Sequence, residues 1–590
     1  MQLRHMSGKS FNLRRFWLEL KRRRVVHVIT VYASSSFVII ELINNLSEPL
    51  YLPPRLLTVV VIILAVGFPL AIILSWLFDL TSKGIERTRP LSEWAPAKLT
   101  AVPNAWKYAT IVSFVVIAGL IVLNIVGINK KAYAASVKSL VILPFGNYTG
   151  DDRLEYYVDG MHSSLIGGMG QLSGLRVLGE TTSNAYKEVN KSLPVITSEL
   201  NVDAALETTV MCLGDSICLQ VKLISTSPEE RQLWVGNFKV EKSEIMNLNN
   251  KIVRQIASEV KIKLTPDEKT RLAENKKHNP ALLEAVYKGR FYMNQLTPEG
   301  FELGIKFFNE AIAIDSLDPL PYLGLAHGYS LAGHVSGILP NAAELGVENA
   351  HKALAIDSTL AEAYVVLASG PLYTDWDFDK AERYLRRAID LNQNIAMAHY
   401  HYGWYWMLTG DMQKAVSEFR ISTVIDPVDV TYQANLAGLY LWIGQYDMAL
   451  EEVDKALKLN PAYPMALWIK GTAQAELGLY DEALKTHERG LAISPGFENG
   501  PGTVYALSGQ TEKALEIISA LEQTDLTWYT WAISEIFAAL GENDSAIYWI
   551  EQAVNRRNDF APWFKSYILF EPLFEDPRFL EIVNRIDYPD

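Results

Sequence analysis

The sequence has few of the residues and motifs that mark an enzyme. It contains two cysteines and ten histidines in 590 residues, and it lacks a P-loop, a His-Glu-x-x-His, a Gly-x-Ser-x-Gly and a kinase signature. Gly167, Gly168, Gly170 and Gly174 do not have the spacing of a dinucleotide-binding loop, so we interpret them as a helix stop. We therefore predict that the protein is not an enzyme, with no catalytic residues, no cofactor and no small-molecule substrate.

Metal ligands are also sparse. His399 and His401 are two residues apart, a spacing that directs them to different sides of a helix. No cysteine or third histidine lies near them in the sequence to complete a ligand set. The sequence therefore predicts no metal site.

Basic residues are scarce after residue 128. The chain carries 54 basic and 67 acidic residues, and the part that follows residue 128 holds 40 basic against 61 acidic ones. A protein that binds nucleic acid needs a basic face for phosphate contacts. This excess of acidic residues argues against a nucleic-acid partner.

Long apolar runs are confined to the first 130 residues. The runs 25–43, 56–78 and 109–128 are each long enough, at 1.5 Å per helical residue, to cross a hydrocarbon core about 30 Å thick. We therefore predict three transmembrane helices in a membrane module that spans residues 25–128.

Lysine and arginine in the flanks predict the orientation of that module. Eight basic residues lie in segment 1–24 and five in loop 79–107, whereas loop 44–55 holds only Arg55. The positive-inside rule places segment 1–24 and loop 79–107 in the cytoplasm, and everything after residue 128 on the other side. A cleaved signal peptide is a poor alternative, because the basic lead is long and no small-residue cleavage site follows the first run.

The second half of the chain is organised by a 34-residue period. The same helix-end pattern recurs at intervals of 42, 35, 34, 34 and 34 residues, at Asp315, Asp357, Asn392, Asp426, Asn460 and Ser494. The strings GQYDMALEEVDKALKLNP (444–461) and GLYDEALKTHERGLAISP (478–495) resemble the tetratricopeptide family. The resemblance implies an all-α superhelix of about eight units over 280–590, in which 570–586 departs from the repeat and forms a cap.

The resemblance also implies a binding surface. In this family the first helix of each unit lines a concave groove, so an aromatic and methionine-rich face is expected for a protein or peptide partner. An alternative is that several of these rings pack between repeats. The residues that this resemblance assigns to the groove are Met397, Tyr400, Trp404, Met407, Leu408, Leu441, Trp442, Met465 and Trp468.

A small α/β domain is predicted between these two parts, over residues 136–264. Its pattern is a strand followed by a Pro-Phe-Gly-Asn turn (139–148), a helix (154–172), a second strand (175–180), a short helix near 195–200, a hairpin, a further strand (232–240) and a closing helix (245–264). The strings LPFGNYTGDDRLEYYVDGM, LSGLRVLGETTS and LWVGNF resemble the TolB amino-terminal-like domain of bacterial envelope and signalling proteins.

The two cysteines flank the turn of the predicted hairpin. A three-residue loop at 214–216 would place Cys212 opposite Cys218, where a disulfide can form in an oxidising compartment. A two-residue turn would place them on opposite faces as free thiols. The sequence leaves both registers open.

Together these features predict a multi-domain bacterial inner-membrane protein: three N-terminal transmembrane helices, a periplasmic TolB-like α/β domain and a periplasmic tetratricopeptide superhelix. We expect a membrane-tethered scaffold or adaptor that binds a protein or peptide. The alternative is a sensor or regulatory component of an envelope signalling system that acts through a cytoplasmic-side partner. An unrecognised enzyme is a third, weaker alternative.

Overall fold

The computed structural model describes residues 25–47, 55–81, 84–87, 137–226, 229–274, 277–334, 341–524 and 528–588. The chain forms two compact units, Met1–Ala135 and Ser136–Asp590.

In the first unit, the described residues form two long helices and a short antiparallel hairpin. These elements are α1 (Val25–Ser47), α2 (Arg55–Leu77), β1 (Phe78–Thr81) and β2 (Gly84–Arg87). The predicted segments 1–24 and 109–128 lie outside the described residues. The predicted spans 25–43 and 56–78 fall on α1 and α2, but no helix in the described part of the chain is long and apolar enough to cross a membrane.

The second unit begins with a mixed sheet. Its strands are β3 (Ser139–Ile142), β4 (Gly146–Asn147), β5 (Arg176–Val177), β6 (Ala204–Leu213), β7 (Ser216–Ser225) and β8 (Arg231–Glu241). The order is β5-β3-β6-β7-β8, with β4 also paired to β6. β3 is parallel to β5 and β6, and β6, β7 and β8 are antiparallel. Five helices complete the domain: α3 (Glu155–Gly170), α4 (Glu180–Asn184), α5 (Leu193–Glu199), α6 (Ile245–Glu259) and α7 (Pro266–Ala273).

Strand lengths differ from those expected from the sequence. The strand predicted at the start of 139–148 ends at Ile142, before Pro144, which has no N–H to donate to a neighbouring strand, and the predicted turn contains the two residues of β4. The predicted strand 175–180 is only two residues long, because Glu180 already begins α4. The closing helix ends at Glu259, and α7 then follows beyond the predicted domain end at residue 264.

Among the described residues after the α/β domain, the helices form eight pairs. The pairs begin with α8 (Pro280–Met293), α9 (Pro298–Ile314), α10 (Leu320–His334), α11 (Ala342–Ile356), α12 (Ala361–Ser369), α13 (Phe378–Leu391), α14 (Ala396–Thr409) and α15 (Met412–Ile425). They continue with α16 (Val430–Trp442), α17 (Tyr446–Leu459), α18 (Pro464–Glu476), α19 (Tyr480–Ile493), α20 (Asn499–Leu507), α21 (Thr511–Leu521), α22 (Trp528–Ala539) and α23 (Asn543–Asn555). The chain ends in 3₁₀ turns at Ala561–Lys565 and Ile568–Leu573 and in α24 (Pro577–Val583).

The periodic residues of the sequence have defined positions in these pairs. The six helix-end residues that set the period are the C-caps of α9, α11, α13, α15, α17 and α19. Gly410 adopts a φ of 96° in the turn between α14 and α15, a conformation that favours glycine. Gly403 has no room for a side chain, since a Cβ there would lie 3.0 Å from the ring of Phe419. The period therefore reports helix ends, tight turns and close helix contacts.

Candidate partner-binding groove

The nine predicted groove residues lie on α14, α16 and α18, the first helices of three consecutive pairs. We call them the groove face. Six of them are buried: Trp404, Met407, Leu408, Leu441, Trp442 and Trp468. Met397, Tyr400 and Met465 are half-buried. In this structure most of the groove face is therefore inaccessible to solvent.

Residues 556–588, which we call the C-terminal segment, pack on the groove face. Trp563 of this segment stacks on Trp404, with ring centroids 4.7 Å apart and planes 16° apart, and it packs on Trp442 at 4.5 Å. Phe560 contacts the edge of the same ring at 4.5 Å. A single aromatic side chain thus occupies the centre of the groove face.

Polar and aromatic contacts hold the C-terminal segment across the groove. The Ser566 hydroxyl donates to the Met407 carbonyl at 3.2 Å. The Arg557 guanidinium lies 4.9 Å from the ring centre of Trp376. At the far end, Tyr588 stacks on Phe378 with centroids 5.7 Å apart. The C-terminal segment therefore links the last helix pair to the helices around α13.

The predicted cap at 570–586 falls within the C-terminal segment, but the contacts of Trp563 with the groove face were not predicted. The signal was present in the stretch 560–574, which contains six aromatic residues: Phe560, Trp563, Phe564, Tyr567, Phe570 and Phe574. A terminal cap that only shields the last repeat needs a polar outer face. This aromatic density indicates a segment buried on more than one side.

Three indole N–H groups of the groove face have no hydrogen-bond acceptor in the described structure. They belong to Trp404, Trp442 and Trp468, which are 6%, 1% and 5% exposed. Trp442 contacts Trp563 directly, and Trp468 contacts Trp531, which contacts Trp563. A buried donor without an acceptor costs about 1–3 kcal/mol. The C-terminal segment thus covers the groove face without satisfying its polar groups.

A buried carboxyl group lies under the C-terminal segment. Glu535 on α22 is 1% exposed and accepts a hydrogen bond from the Asn499 side-chain amide. Burial raises the pKa of Glu535 to about 8; the hydrogen bond from Asn499 opposes the rise, and nearby Glu476 adds to it. Glu535 is therefore predominantly protonated at neutral pH.

The α/β domain docks on the turns of the repeats through polar contacts. The Asn394 side chain donates to the carbonyls of Gly170 and Leu175 at 2.7 and 2.9 Å, and accepts from the Val177 N–H at 3.0 Å. The Thr182 hydroxyl donates to the Asp426 carboxylate. Because these contacts join residues more than 200 positions apart, sequence periodicity gave no sign of them.

Glycines explain how closely the two domains approach. Gly170 ends α3, as the predicted helix stop requires, and a Cβ there would lie 3.2 Å from the Asn392 side chain. A Cβ on Gly179 would lie 2.9 Å from the Asp426 carboxylate. Burial raises the pKa of Asp426 to about 6, and the hydrogen bond from Thr182 opposes this rise. We call this contact region the domain seam.

A cleft lies beside the seam, between the α/β domain and α8. It has a volume of about 270 Å³, near the lower end of the range for small-molecule sites. Arg290 donates to the Ser163 hydroxyl at 2.9 Å, and Ser163 donates to Glu180 at 2.7 Å. Lys187 pairs with Asp159 at 2.7 Å. The charged groups of the cleft are thus engaged with one another.

The remaining candidate residues have structural contacts. Cys212 pairs with Cys218 across β6 and β7, Leu213 pairs with Ile217, and the two sulfur atoms are bonded. This is the register of the three-residue loop. His399 lies 2.6 Å from Glu418 and 3.0 Å from the Gln393 carbonyl, so both ring nitrogens have partners within the packing.

Comparison with known proteins supports the repeat assignment. The tetratricopeptide repeat family model matches residues 376–429 and 436–496, which cover α13 to α19 except for residues 430–435, the first part of α16. The chain therefore carries tetratricopeptide repeats, a fold that generally serves as a non-enzymatic scaffold for protein–protein interaction.

Several curated proteins are similar over the same kind of segment. A putative adenylate cyclase 3 of Rhizobium meliloti (strain 1021) is 26% identical over 152 residues, which cover 26% of each chain. Tetratricopeptide repeat protein 28 of Homo sapiens is 32% identical over 107 residues, 18% of this chain and 4% of that protein. The Hsp70-Hsp90 organizing protein of Triticum aestivum is 30% identical over 126 residues, 20% of this chain and 21% of that protein. The chain thus spans about a quarter or less of these relatives.

Solved structures show the same partial similarity. Pseudomonas aeruginosa pilF is 18% identical with a TM-score of 0.29, over 34% of this chain and 89% of that one. YrrB, a TPR protein with an unusual peptide-binding site, is 19% identical with a TM-score of 0.25, over 32% of this chain and 92% of that one. These TM-scores are too low to add to the repeat assignment.

Proposed function

We propose that this protein is a scaffold or adaptor that binds a protein or peptide partner at the groove face. The observation that carries the proposal is the covering of that face by the C-terminal segment, which lies outside the helix pairs. The aromatic rings of α14 and α16 thus contact a separate segment in addition to their own repeats. A surface that accepts an aromatic anchor from outside the repeats has the chemistry of a binding hot spot.

Site-specific crosslinking in intact cells tests this proposal. A photoreactive amino acid replaces Met465, a half-buried residue of the groove face, and in a matched control it replaces Met448, an exposed residue of α17. We expect one discrete protein adduct from position 465 and none from position 448. Equal adduct patterns at the two positions would show that the groove face is not the binding site.

We further propose tethering at a bacterial inner membrane, with the residues after 128 in the periplasm. The support is the sequence: three apolar runs and the asymmetry of basic residues around them. A phosphatase that is active only outside the cytoplasm tests the topology when fused after Ile128 or within 79–107. We expect activity from the first fusion alone, and equal activity from both contradicts the topology.

A sensor component of an envelope signalling system is the second candidate. Two observations favour it: the similarity to a protein named as a putative adenylate cyclase, and the cleft between the α/β domain and α8. A signalling role requires a partner on the cytoplasmic side. Crosslinking from the loop 79–107 to a cytoplasmic protein would support this candidate, and the absence of any such adduct would count against it.

A further inference from the structure

The backbone conformation of the C-terminal segment explains why indole N–H groups of the groove face find no acceptor in that segment. Its carbonyls around Trp563 are used within its own turns. Phe560 accepts from the Trp563 N–H at 2.9 Å, and Trp563 accepts from the N–H groups of Ser566 and Tyr567 at 2.8 and 3.0 Å. The Pro562 carbonyl accepts from the Tyr588 hydroxyl at 3.0 Å. A 3₁₀ turn therefore brings an aromatic ring to the groove face but few free acceptors.

An extended peptide, in contrast, has free backbone carbonyls. In an extended or polyproline II conformation the carbonyls are not used by the peptide itself and point outward. Such a backbone can offer acceptors to the N–H groups of Trp442 and Trp468 while one aromatic side chain takes the place of Trp563. The groove face therefore fits an extended aromatic peptide better than it fits its own C-terminal segment.

We propose that the C-terminal segment is a displaceable internal occupant of the groove face, and that the partner is an extended peptide segment carrying one aromatic side chain. This inference rests on the proposed function, because it concerns the same face. It adds the chemical class of the partner and a form of regulation: the partner competes with the chain's own C-terminus.

Arg557 is the position at which to weaken the occupant without altering the groove face. It is exposed, and it donates to the carbonyls of Thr374 and Asp375 at 3.5 Å while lying over Trp376. These contacts are at the rim, away from Trp563. Arg556 is the matched control, because it is an exposed neighbour in the sequence, and within the described part of the chain its backbone N–H bonds to Gln552 of its own helix.

The experiment uses the full-length protein and a fluorescein-labelled peptide, Gly-Pro-Pro-Trp-Pro-Pro-Gly, that adopts an extended conformation. Binding is measured by fluorescence anisotropy and opening by hydrogen exchange of residues 561–574. We expect Arg557→Ala to bind the peptide at least tenfold tighter than the wild type, because a larger fraction of molecules is open. Arg556→Ala should match the wild type, and a peptide with alanine in place of tryptophan should not bind.

A second pair of variants tests the role of the indole donor. Trp442→Phe keeps an aromatic ring but removes the N–H, so we expect peptide affinity to fall severalfold while exchange in 561–574 slows or stays unchanged. A purely structural role predicts faster exchange instead. Trp549→Phe on α23 is the control, because Trp549 is half-buried and lies outside the groove face.

The outcomes separate this inference from the proposed function. Peptide binding without faster exchange of 561–574 would overturn displacement while leaving the scaffold function intact. An Arg557→Ala protein that exchanges rapidly in 561–574 and still binds no peptide would overturn the assignment of an extended aromatic partner. Failure of the scaffold function itself is read separately, from the crosslinking at position 465.

Discussion

The domain seam and the interface of the C-terminal segment are two contacts of the repeat domain that differ in chemistry. At the seam, the side-chain amide of Asn394 is matched to two carbonyls and its oxygen to one N–H. At the groove face, a tryptophan ring is buried among other rings, and the N–H of Trp442 has no acceptor in the described structure. The seam contacts named here are polar and matched, whereas the centre of the groove interface is apolar and its indole donor is unmatched.

This difference in chemistry predicts which of the two interfaces is the more permanent. A satisfied polar network fixes one arrangement, because any shift leaves several buried groups without partners. Apolar burial is less directional, so another ring of similar size can replace the first. We therefore expect the α/β domain to stay attached to the repeats under conditions in which the C-terminal segment is released.

The largest expected effect comes from Trp563→Ala. Truncation of a buried tryptophan costs about 3–5 kcal/mol. If the two interfaces open independently, this loss of stability affects only the C-terminal segment. Hydrogen exchange then accelerates in 561–588 and changes little in β5 and α4 at the seam. Exchange that accelerates equally in both regions would show that the two interfaces open together. Tyr548→Ala, an exposed aromatic on α23, is the control.

Glu535→Gln should act in the opposite direction. The folded pKa of about 8 lies above the ordinary value of 4.5, so the stability that protonated Glu535 contributes is complete below pH 4.5 and is lost as the pH rises towards 8. Glutamine stays neutral, so the variant should be more stable than the wild type by about 3 kcal/mol at pH 7, at about 1.4 kcal/mol per pKa unit.

Urea unfolding between pH 4.5 and 8 measures this effect. The gap between the variant and the wild type should widen as the pH rises. A constant gap would mean that Glu535 does not titrate in this range. Glu512→Gln, at an exposed position on α21, should show no pH-dependent gap.

The repeats were predictable because their signals are local. Small residues, turn glycines and helix ends recur every 34 residues, and each has a steric cause within one helix pair, as Gly403 against Phe419 shows. The assignment to tetratricopeptide repeats is confirmed by the family match. The positions of the groove face on α14, α16 and α18 follow from the same period.

The two interfaces were not predictable for the opposite reason. Asn394 and Asp426 look like ordinary turn residues in the sequence, and only the fold brings them to Val177 and Thr182. The segment around Trp563 departs from the period, so the period carries no information about where it packs. Contacts between distant segments depend on the assembled superhelix, which a single sequence does not encode as a pattern.

Gly179→Ala probes the polar interface and should have a moderate effect. Its φ of −66° is open to alanine, but the added Cβ would lie 2.9 Å from the Asp426 carboxylate. We expect a loss of about 1–3 kcal/mol, the usual range for overpacking, with faster exchange at β5 and α4 and none in 561–588. Gly167→Ala is the control, because a Cβ there has nothing within 4 Å. Faster exchange in the C-terminal segment as well would show that the two interfaces do not open independently.

The smallest expected effect is that of Asp426→Asn at the same seam. The folded pKa of about 6 is above the ordinary 3.8, so the stabilising contribution of the protonated form is complete below pH 3.8 and is lost as the pH rises through 6. Asparagine avoids this loss, yet it accepts the hydrogen bond from Thr182 less strongly than a carboxylate does.

The rise of about two pKa units limits the gain for Asp426→Asn to about 3 kcal/mol at pH 7, the weaker hydrogen bond reduces it, and the gain should disappear as the pH falls to 4. The measurement is the difference in urea midpoint between the variant and the wild type at the two pH values. A loss of stability at pH 7 would show that the charged carboxylate is itself a matched partner at the seam. The domain seam would then depend on an ionised group, whereas the interface under the C-terminal segment depends on a protonated one at Glu535.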